Sequence, residues 1–294
     1  MEFIREFPDD DACLEWLWRE RYSPDGKHAD CPKCGREHVP FKHYRTKQRR
    51  QTWTCTKCGH HVQPTAGTIF KGSSTSLHLW FYAIHLMTST RCGISAKQLE
   101  RELGVTYKTA WRMFNRIRNE LMSDNDERPL SGDVEIDETS VEGRPRVHMD
   151  RSAAARLRER SRATVLGMVE RGGRIRLRVL PSRRGPALTQ TVRDSVASIS
   201  RIYTDDWPAY KPLSREFAGH STVPHSARIF VVGDAHTNTV EGFFGNLKTS
   251  LRGTYKHVSP RWLQSYLDEF AWRYNHRHDS RAMFRQLLRR AALS

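Results

Sequence analysis

The spacing of apolar residues changes close to Pro129. Before this point, "SLHLWFYAIHLM" repeats its apolar residues at helical intervals, which predicts a buried helix. After it, Val134 and Ile136 alternate with Glu135 and Asp137, the two-residue period of a strand. The pattern therefore predicts a helical region followed by a mixed α/β region.

The stretch "GISAKQLERELGVTYKTAWRMFNRIR" predicts two short helices joined by a tight turn. The first runs from Ser95 to about Leu103, and Gly104 is free to take a positive φ in the turn. Thr106 caps the second, which runs to about Arg118. This pattern is typical of a helix-turn-helix, although a plain αα-hairpin with charged outer faces shares it. In a helix-turn-helix the second helix enters the major groove, here leading with Tyr107, Lys108, Thr109 and Arg112.

Beyond the first strand, "RATVLGMVERGGRIRLRVLP" predicts a hairpin that turns at Gly172 and Gly173. A helix ("GPALTQTVRDSVAS"), a fourth strand ("SRIYTDDW") and further helices follow. The expected fold class is α/β, with a larger α/β domain preceded by two smaller domains. The expected segments are an N-terminal helical segment (1–27), a zinc ribbon that contains two C-x-x-C pairs (28–70), a helix-turn-helix domain (74–125) and an α/β domain (130–290).

Four of the six cysteines form two C-x-x-C pairs, "CPKCG" and "CTKCG", with 20 residues between them. Zinc takes four thiolates in a tetrahedron, and each C-x-x-C turn presents two of them. A redox dithiol would need only one copy. We therefore predict one structural Zn²⁺ held by Cys31, Cys34, Cys55 and Cys58. Cys13 and Cys92 have no such spacing and are interpreted as packed side chains.

The charge of the chain favours a polyanionic partner. Lys and Arg number 49 against 33 acids among 294 residues, a formal net charge of +16. Nucleic acid is the first candidate. Seven arginines between residues 144 and 162 could together clamp a phosphate backbone, or form a solvated helix or loop.

No apolar run is long enough to span a membrane, and the acidic N-terminus does not resemble a signal peptide. A cytoplasmic, nucleoid-associated protein without a membrane partner is expected.

Three acids occupy positions where α/β proteins often place functional side chains. Asp137 lies in the first strand, and Asp205 ends the fourth. Glu241 follows Asp205 after 35 residues and lies in a helix, with Lys248 two turns on along the same helical face. Alone, Asn238 and Glu241 fit a capping box.

The layout of these acids resembles the DDE transposases and retroviral integrases. More closely, the chain resembles bacterial insertion-sequence transposases that begin with a zinc ribbon, over nearly its whole length. The shared motifs include "GTIF", "EIDET", "YTDDWPAY", "HTNTVEGFFGNLK" and "YLDEFAWRYNHR". The catalytic positions of that family fall on Asp137, Asp205, Glu241 and Lys248, and its supporting residues fall on His236 and Asn238. Asp206 is a second acid beside Asp205, so the choice between the two depends on the register of the resemblance.

The resemblance implies an RNase H-like fold and metal-dependent cutting and joining of DNA. Two Mg²⁺ or Mn²⁺ ions about 4 Å apart would activate the nucleophile and stabilise the leaving oxygen. Asp137 would bridge both ions, while Asp205 and Glu241 would bind one each. Lys248 would contact DNA phosphate near the cut.

The implied partner is double-stranded DNA, both the terminal inverted repeats of a mobile element and its target. Because two ends must meet, a homodimer or higher oligomer on DNA is expected. Two other functions share the sequence features. One is a DNA-binding regulator derived from a transposase that has lost catalysis, and the other is a structure-selective nuclease of the same fold.

Overall fold

The computed structural model describes residues 2–45, 51–90, 92–123, 126–142, 162–182, 185–224, 231–279 and 282–293. The chain divides into two compact units. Unit 1 comprises Met1–Leu121 and Asp279–Ser294, and unit 2 comprises Met122–His278. Residues 144–161 of the arginine-rich stretch lie outside the described residues. Within the described residues, no helix is both long and apolar enough to cross a membrane.

Unit 1 combines a small antiparallel sheet with helices. The sheet has the order β1-β2-β3-β4. Its core includes Trp18, which stacks on Trp53 with ring centroids 4.9 Å apart, so a helix preceding the cysteine pairs forms part of the same core. The elements are α1 (Glu2–Glu6), α2 (Asp10–Arg21), β1 (His28–Ala29), β2 (Val39–Arg45), β3 (Gln51–Cys55), β4 (His61–Val62), α3 (Leu77–Ser89), α4 (Ala96–Leu103), α5 (Tyr107–Arg116) and α9 (Met283–Leu293).

The predicted helix pair is present at α4 and α5. Ser95 caps α4 by accepting a hydrogen bond from the backbone N–H of Gln98, and Thr106 caps α5 in the same way through Thr109. Gly104 between them has φ +63°, which confirms the left-handed turn expected at this glycine. The second helix ends at Arg116, where a π-helical turn over Ile117–Leu121 takes over.

The C-terminal helix α9 belongs to unit 1, whereas the sequence-based boundary at 290 placed most of it in the α/β domain. Phe284 packs against Phe3 and Phe7, and Arg285 forms a 2.9 Å ion pair with Glu6. The boundary differs because these partners lie at the opposite end of the sequence, where no local pattern marks them.

Unit 2 is a five-stranded mixed sheet with helices on both faces, in agreement with the expected α/β class. The strand order is β7-β6-β5-β8-β9, with β5, β8 and β9 parallel and β6 antiparallel to its neighbours. One face packs against α7 and α8, and the other against α6 and a 3₁₀ helix over Pro208–Arg215. The elements are β5 (Asp133–Val141), β6 (Ala163–Glu170), β7 (Ile175–Leu180), α6 (Gly185–Ser195), β8 (Arg201–Asp205), β9 (Gly219–Val223), α7 (Asn238–Ser250) and α8 (Pro260–Asn275).

The outer edge of β7 is closed by side chains of α8. Asn275 accepts a hydrogen bond from the backbone N–H of Ile175 (2.7 Å) and donates to its carbonyl (3.0 Å). Gln264 accepts from the backbone N–H of Val179 (2.8 Å) and donates to the carbonyl of Leu177 (3.0 Å). Two side-chain amides thus make four of the hydrogen bonds that a further strand would make.

Candidate active site and metal sites

The four predicted zinc ligands lie together at one end of the small sheet. The Sγ atoms of Cys31, Cys34, Cys55 and Cys58 all lie within 4.8 Å of one another, and those of Cys31 and Cys58 are 3.6 Å apart. A tetrahedron with Zn–S bonds of about 2.3 Å has S···S edges of about 3.8 Å, so this arrangement fits zinc.

The backbone around the first C-x-x-C turn favours a thiolate at Cys31. Burial raises the pKa of this thiol. Hydrogen bonds from the backbone N–H groups of Cys34 and Lys33, together with those from the side chains of Cys34 and Cys58, outweigh that effect and lower the pKa to about 6. Because thiolates are the species that bind zinc, the site is prepared for the metal near neutral pH.

Asp137 projects from β5 toward helix α7. Side chains alternate across a strand, so Asp137 shares a face with Glu135 and lies opposite to Val134 and Ile136, which belong to the core on the other face. Its Oδ1 accepts a hydrogen bond from the backbone N–H of Glu138 (2.8 Å). The predicted orientation of this acid is therefore the one observed.

The structure brings Asp137 and Asp205 together, with Glu138 as a third member. Carboxylate oxygens of these three residues lie within 4.8 Å of one another. Asp205 ends β8, and its Oδ1 accepts from the backbone N–H of Trp207 (3.0 Å). Asp206 is not in this group, so the geometry favours Asp205 over its neighbour.

Burial and the neighbouring acids raise the pKa of Asp137. The pKa of Asp137 is raised from 3.8 to about 7, chiefly by burial and then by the charges of Glu138, Asp205 and Glu241, against a lowering hydrogen bond from the backbone of Glu138. A carboxyl group whose pKa is raised by burial and by nearby negative charges is typical of a site that binds a divalent cation. Hard carboxylate oxygens are the ligands that Mg²⁺ prefers, so the donor set fits this ion.

Glu241 lies in the first turn of α7, outside the tight group of three acids but close enough to raise the pKa of Asp137. Its Oε1 accepts a 2.6 Å hydrogen bond from the hydroxyl of Thr237.

The expectation that Asn238 caps this helix is wrong. The N-cap is Thr237, Asn238 is the exposed first helical residue, and the backbone N–H groups of Thr239 and Val240 bind Glu135 instead.

His236 and Lys248 flank this helix. The Nδ1 atom of His236 lies 3.1 Å from Oε1 of Glu135, so this nitrogen faces a buried carboxylate. Lys248 is partly exposed and lies in the last turn of α7. Its role in binding a DNA phosphate stays a prediction.

The predicted DNA-reading residues lie on one side of α5. Tyr107, Lys108 and Arg112 are exposed, whereas Thr109 is half-buried and its hydroxyl accepts from Thr106 (3.1 Å). Trp111 is 39% exposed on the same helix, one turn after Tyr107. Trp111 is not among the residues predicted to contact DNA, although an aromatic residue four positions after Tyr107 was the available signal.

Comparison with known proteins identifies the family. The sequence profile of the ISXO2-like transposase domain matches residues 129–275. A curated relative, "Uncharacterized protein in transposable element ISH50" of Halobacterium salinarum, is 31% identical over 256 residues, which cover 83% of this chain and 84% of the relative. The chain belongs to the ISXO2-like transposase family. Membership of this insertion-sequence transposase family implies that the protein binds DNA and uses divalent metal ions.

Among solved structures, this transposase matches a chain from "Crystal structure of a pre-cleavage Mos1 transpososome". The match has 13% sequence identity and a TM-score of 0.26, and it covers 72% of this chain and 78% of that chain. A TM-score this low adds nothing to the assignment of the transposase fold.

Proposed function

We propose that this transposase binds the terminal inverted repeats of its element and catalyses metal-dependent cleavage of the 3′ ends followed by strand transfer. The observation that carries this proposal is the convergence of Asp137 and Asp205, remote along the chain, into one group of carboxylates. The pKa of about 7 at Asp137 supports the same conclusion, because a structural ion pair would lower the pKa of a carboxyl group.

In this proposal the carboxylates of Asp137, Asp205 and Glu241 hold two Mg²⁺ or Mn²⁺ ions in an RNase H-like domain. Bound ions of this kind activate an attacking water or 3′ hydroxyl and stabilise the leaving oxygen. Thr237 orients Glu241 through its 2.6 Å hydrogen bond. Lys248, two helical turns from Glu241, binds a DNA phosphate near the cut.

The other elements bind and assemble DNA in this proposal. Helix α5 of the helix-turn-helix reads the terminal repeat through Tyr107, Lys108, Thr109 and Arg112, and the exposed Trp111 extends that surface. The zinc ribbon is stabilised by one Zn²⁺. At least two copies of the chain act together, since two ends must be joined to one target.

The test is a strand-transfer assay with the element's ends, target DNA and Mg²⁺. Asp137→Asn, Asp205→Asn and Glu241→Gln should each abolish joining and retain end binding. Asp194→Asn is the matched control, because this exposed aspartate lies on α6, on the other face of the sheet. Wild-type protein that binds ends but never cuts would indicate a regulator. Cutting without joining, on DNA that lacks the repeats, would indicate a nuclease.

A further inference from the structure

We propose that Glu135 is a positioning residue that fixes helix α7 on the sheet and thereby aims Glu241 at Asp137. This inference depends on the proposed function, because it assigns Glu135 a role in assembling the same acid group. Glu135 itself points away from solvent and is fully buried.

Glu135 is a buried carboxylate with an unusually complete set of partners. Its Oε2 accepts hydrogen bonds from the backbone N–H groups of Thr239 (2.8 Å) and Val240 (3.3 Å). Its Oε1 accepts from the hydroxyl of Thr239 (3.0 Å) and from Nε of Arg171 (3.0 Å). A buried carboxylate is tolerated only when it is paired in this way, so the partners hold it in one position.

Thr237 occupies the N-cap position of α7, but these contacts make the side chain of Glu135 the acceptor that caps the helix. The helix has no cap from its own N-terminal residue, since the side chain of Thr237 makes no capping hydrogen bond. The donors that a local cap would satisfy go to a side chain on β5 instead. A negative charge at this end also complements the helix dipole. The start of α7 is therefore set by the sheet, not by the preceding loop.

The cap and the acid group share the same two elements. Glu135 and Asp137 lie two residues apart on β5, on the face that meets α7. Glu241 directly follows Val240, whose backbone Glu135 binds. Fixing residues 239 and 240 against residue 135 therefore fixes residue 241 against residue 137.

Arg171 extends the same arrangement to the strand of Asp205. Its guanidinium binds Glu135, donates to the carbonyl of His236 (3.1 Å) and lies 3.9 Å from the ring centroid of Tyr203. Tyr203 is two residues before Asp205 on β8. Glu135 and Arg171 thus contact all three elements that carry the acids, although neither belongs to the group of acids itself.

The experiment compares Glu135→Gln with Glu170→Gln in the full chain. The glutamine keeps the shape of the side chain at position 135 but loses its charge. Glu170 is the matched control because it also binds an arginine, Arg174, and the backbone N–H groups of residues 131 and 174, but it lies at the end of β6 and has no described contact with α7. Four quantities are measured: Mn²⁺ affinity by calorimetry, amide hydrogen exchange over residues 238–241, thermal stability without metal, and binding of DNA ends.

We expect Glu135→Gln to weaken Mn²⁺ binding about tenfold or more, the usual effect of removing a group that orients metal ligands. Exchange in the first turn of α7 should rise, and binding of DNA ends should stay unchanged. Glu170→Gln should lower the thermal stability and leave the Mn²⁺ affinity near that of the wild type. Wild-type affinity and exchange in Glu135→Gln, or an equal loss of affinity in both variants, would overturn the proposal.

A milder variant covers the case in which Glu135→Gln does not fold. Thr239→Val keeps Glu135 and removes only the hydroxyl that it binds, so it should show a smaller change in the same direction. Unchanged exchange and affinity in Thr239→Val would then count against the proposal. Asp137→Asn separates the two hypotheses. If Asp137→Asn leaves Mn²⁺ binding intact, the proposed function fails. If Asp137→Asn weakens Mn²⁺ binding and Glu135→Gln changes neither affinity nor exchange, only the positioning role fails.

Discussion

Asp137 and Gly167 are direct partners in the antiparallel pairing of β5 and β6. A Cβ atom at Gly167 would lie 2.6 Å from Cζ of Phe244 and 2.8 Å from Cγ2 of Val240, both on α7. The missing side chain therefore lets the helix that carries Glu241 approach the sheet beside the first acid.

Gly167→Ala is expected to destabilise unit 2 by about 1–3 kcal/mol, the usual cost of overpacking, and to weaken Mn²⁺ binding by pushing α7 away. The matched control is Gly245→Ala, since a Cβ there meets nothing within 4 Å. It should stabilise α7 by about 0.5–1 kcal/mol, because alanine favours the helix. Urea denaturation and calorimetry measure both effects. Equal stability of the two variants would show that Phe244 does not exclude a side chain at position 167.

The raised pKa of Asp137 predicts how stability depends on pH without metal. The pKa is about 7 in the folded chain against an ordinary 3.8, so the folded state holds a proton that the unfolded state has released. Stability of the metal-free protein should therefore fall as pH rises from about 4 to about 7. His220, whose pKa burial lowers, acts in the opposite direction, so the difference between wild type and Asp137→Asn isolates the effect. Thermal melts at several pH values measure it, and parallel curves for the two proteins would contradict it.

The same pKa predicts the pH dependence of metal binding. A cation must displace the proton on Asp137, so Mn²⁺ affinity should fall about tenfold per pH unit below pH 7 and level off above it. Calorimetry in buffers of different ionisation enthalpy would also detect the released proton. Affinity that stays constant between about pH 5.5 and pH 8 would refute this prediction.

Zinc removal should unfold the small sheet of unit 1. Cys31 and Cys55 are buried in its core, so losing the ion leaves thiolates without a partner in an apolar setting. Cys58→Ser should reduce bound zinc below one equivalent and lower the melting temperature, with metal content read by atomic absorption. Cys92→Ala is the control because Cys92 lies outside the cluster, and it should retain one zinc.

Helix α5 should supply charge for DNA binding. Lys108→Ala and Arg112→Ala are each expected to weaken end binding and to reduce the slope of log K against log salt by about 1 if the side chain contacts a phosphate. Arg5→Ala on α1 is the control, since this exposed arginine lies on a different helix. Fluorescence anisotropy over a range of salt concentrations gives the slopes. Identical slopes for all three variants would remove α5 from the interface.

Local patterns predicted much of the fold because they depend on neighbouring residues. The alternation around Val134 and Ile136 gave the strand, and Gly104 with Thr106 gave the turn and cap between two helices. The two C-x-x-C pairs gave the cysteine cluster. Strand β9 was missed, because "GHSTV" has one buried apolar residue and no alternating pattern.

The candidate site was predicted only in part because its remaining members depend on distant partners. Glu135 was read as a polar strand residue, yet it is the cap of a helix more than a hundred positions away. Asn238 looked like that cap because the capping-box pattern considers only the helix itself. Glu138 alternates with Asp137 along β5, and Tyr210 donates a 2.6 Å hydrogen bond to its Oε2. A carboxylate oxygen of Glu138 nevertheless lies within 4.8 Å of those of Asp137 and Asp205.

The amides of Gln264 and Asn275 along β7 also protect the protein from aggregation through this strand edge. An open strand edge offers a template on which a second chain can add its own backbone, the first step toward fibrils. Along β7 both backbone groups of Ile175, the carbonyl of Leu177 and the N–H of Val179 are already bonded within the same molecule. Copies brought to high local concentration therefore cannot merge their sheets at this border, and any association between them must use other surfaces.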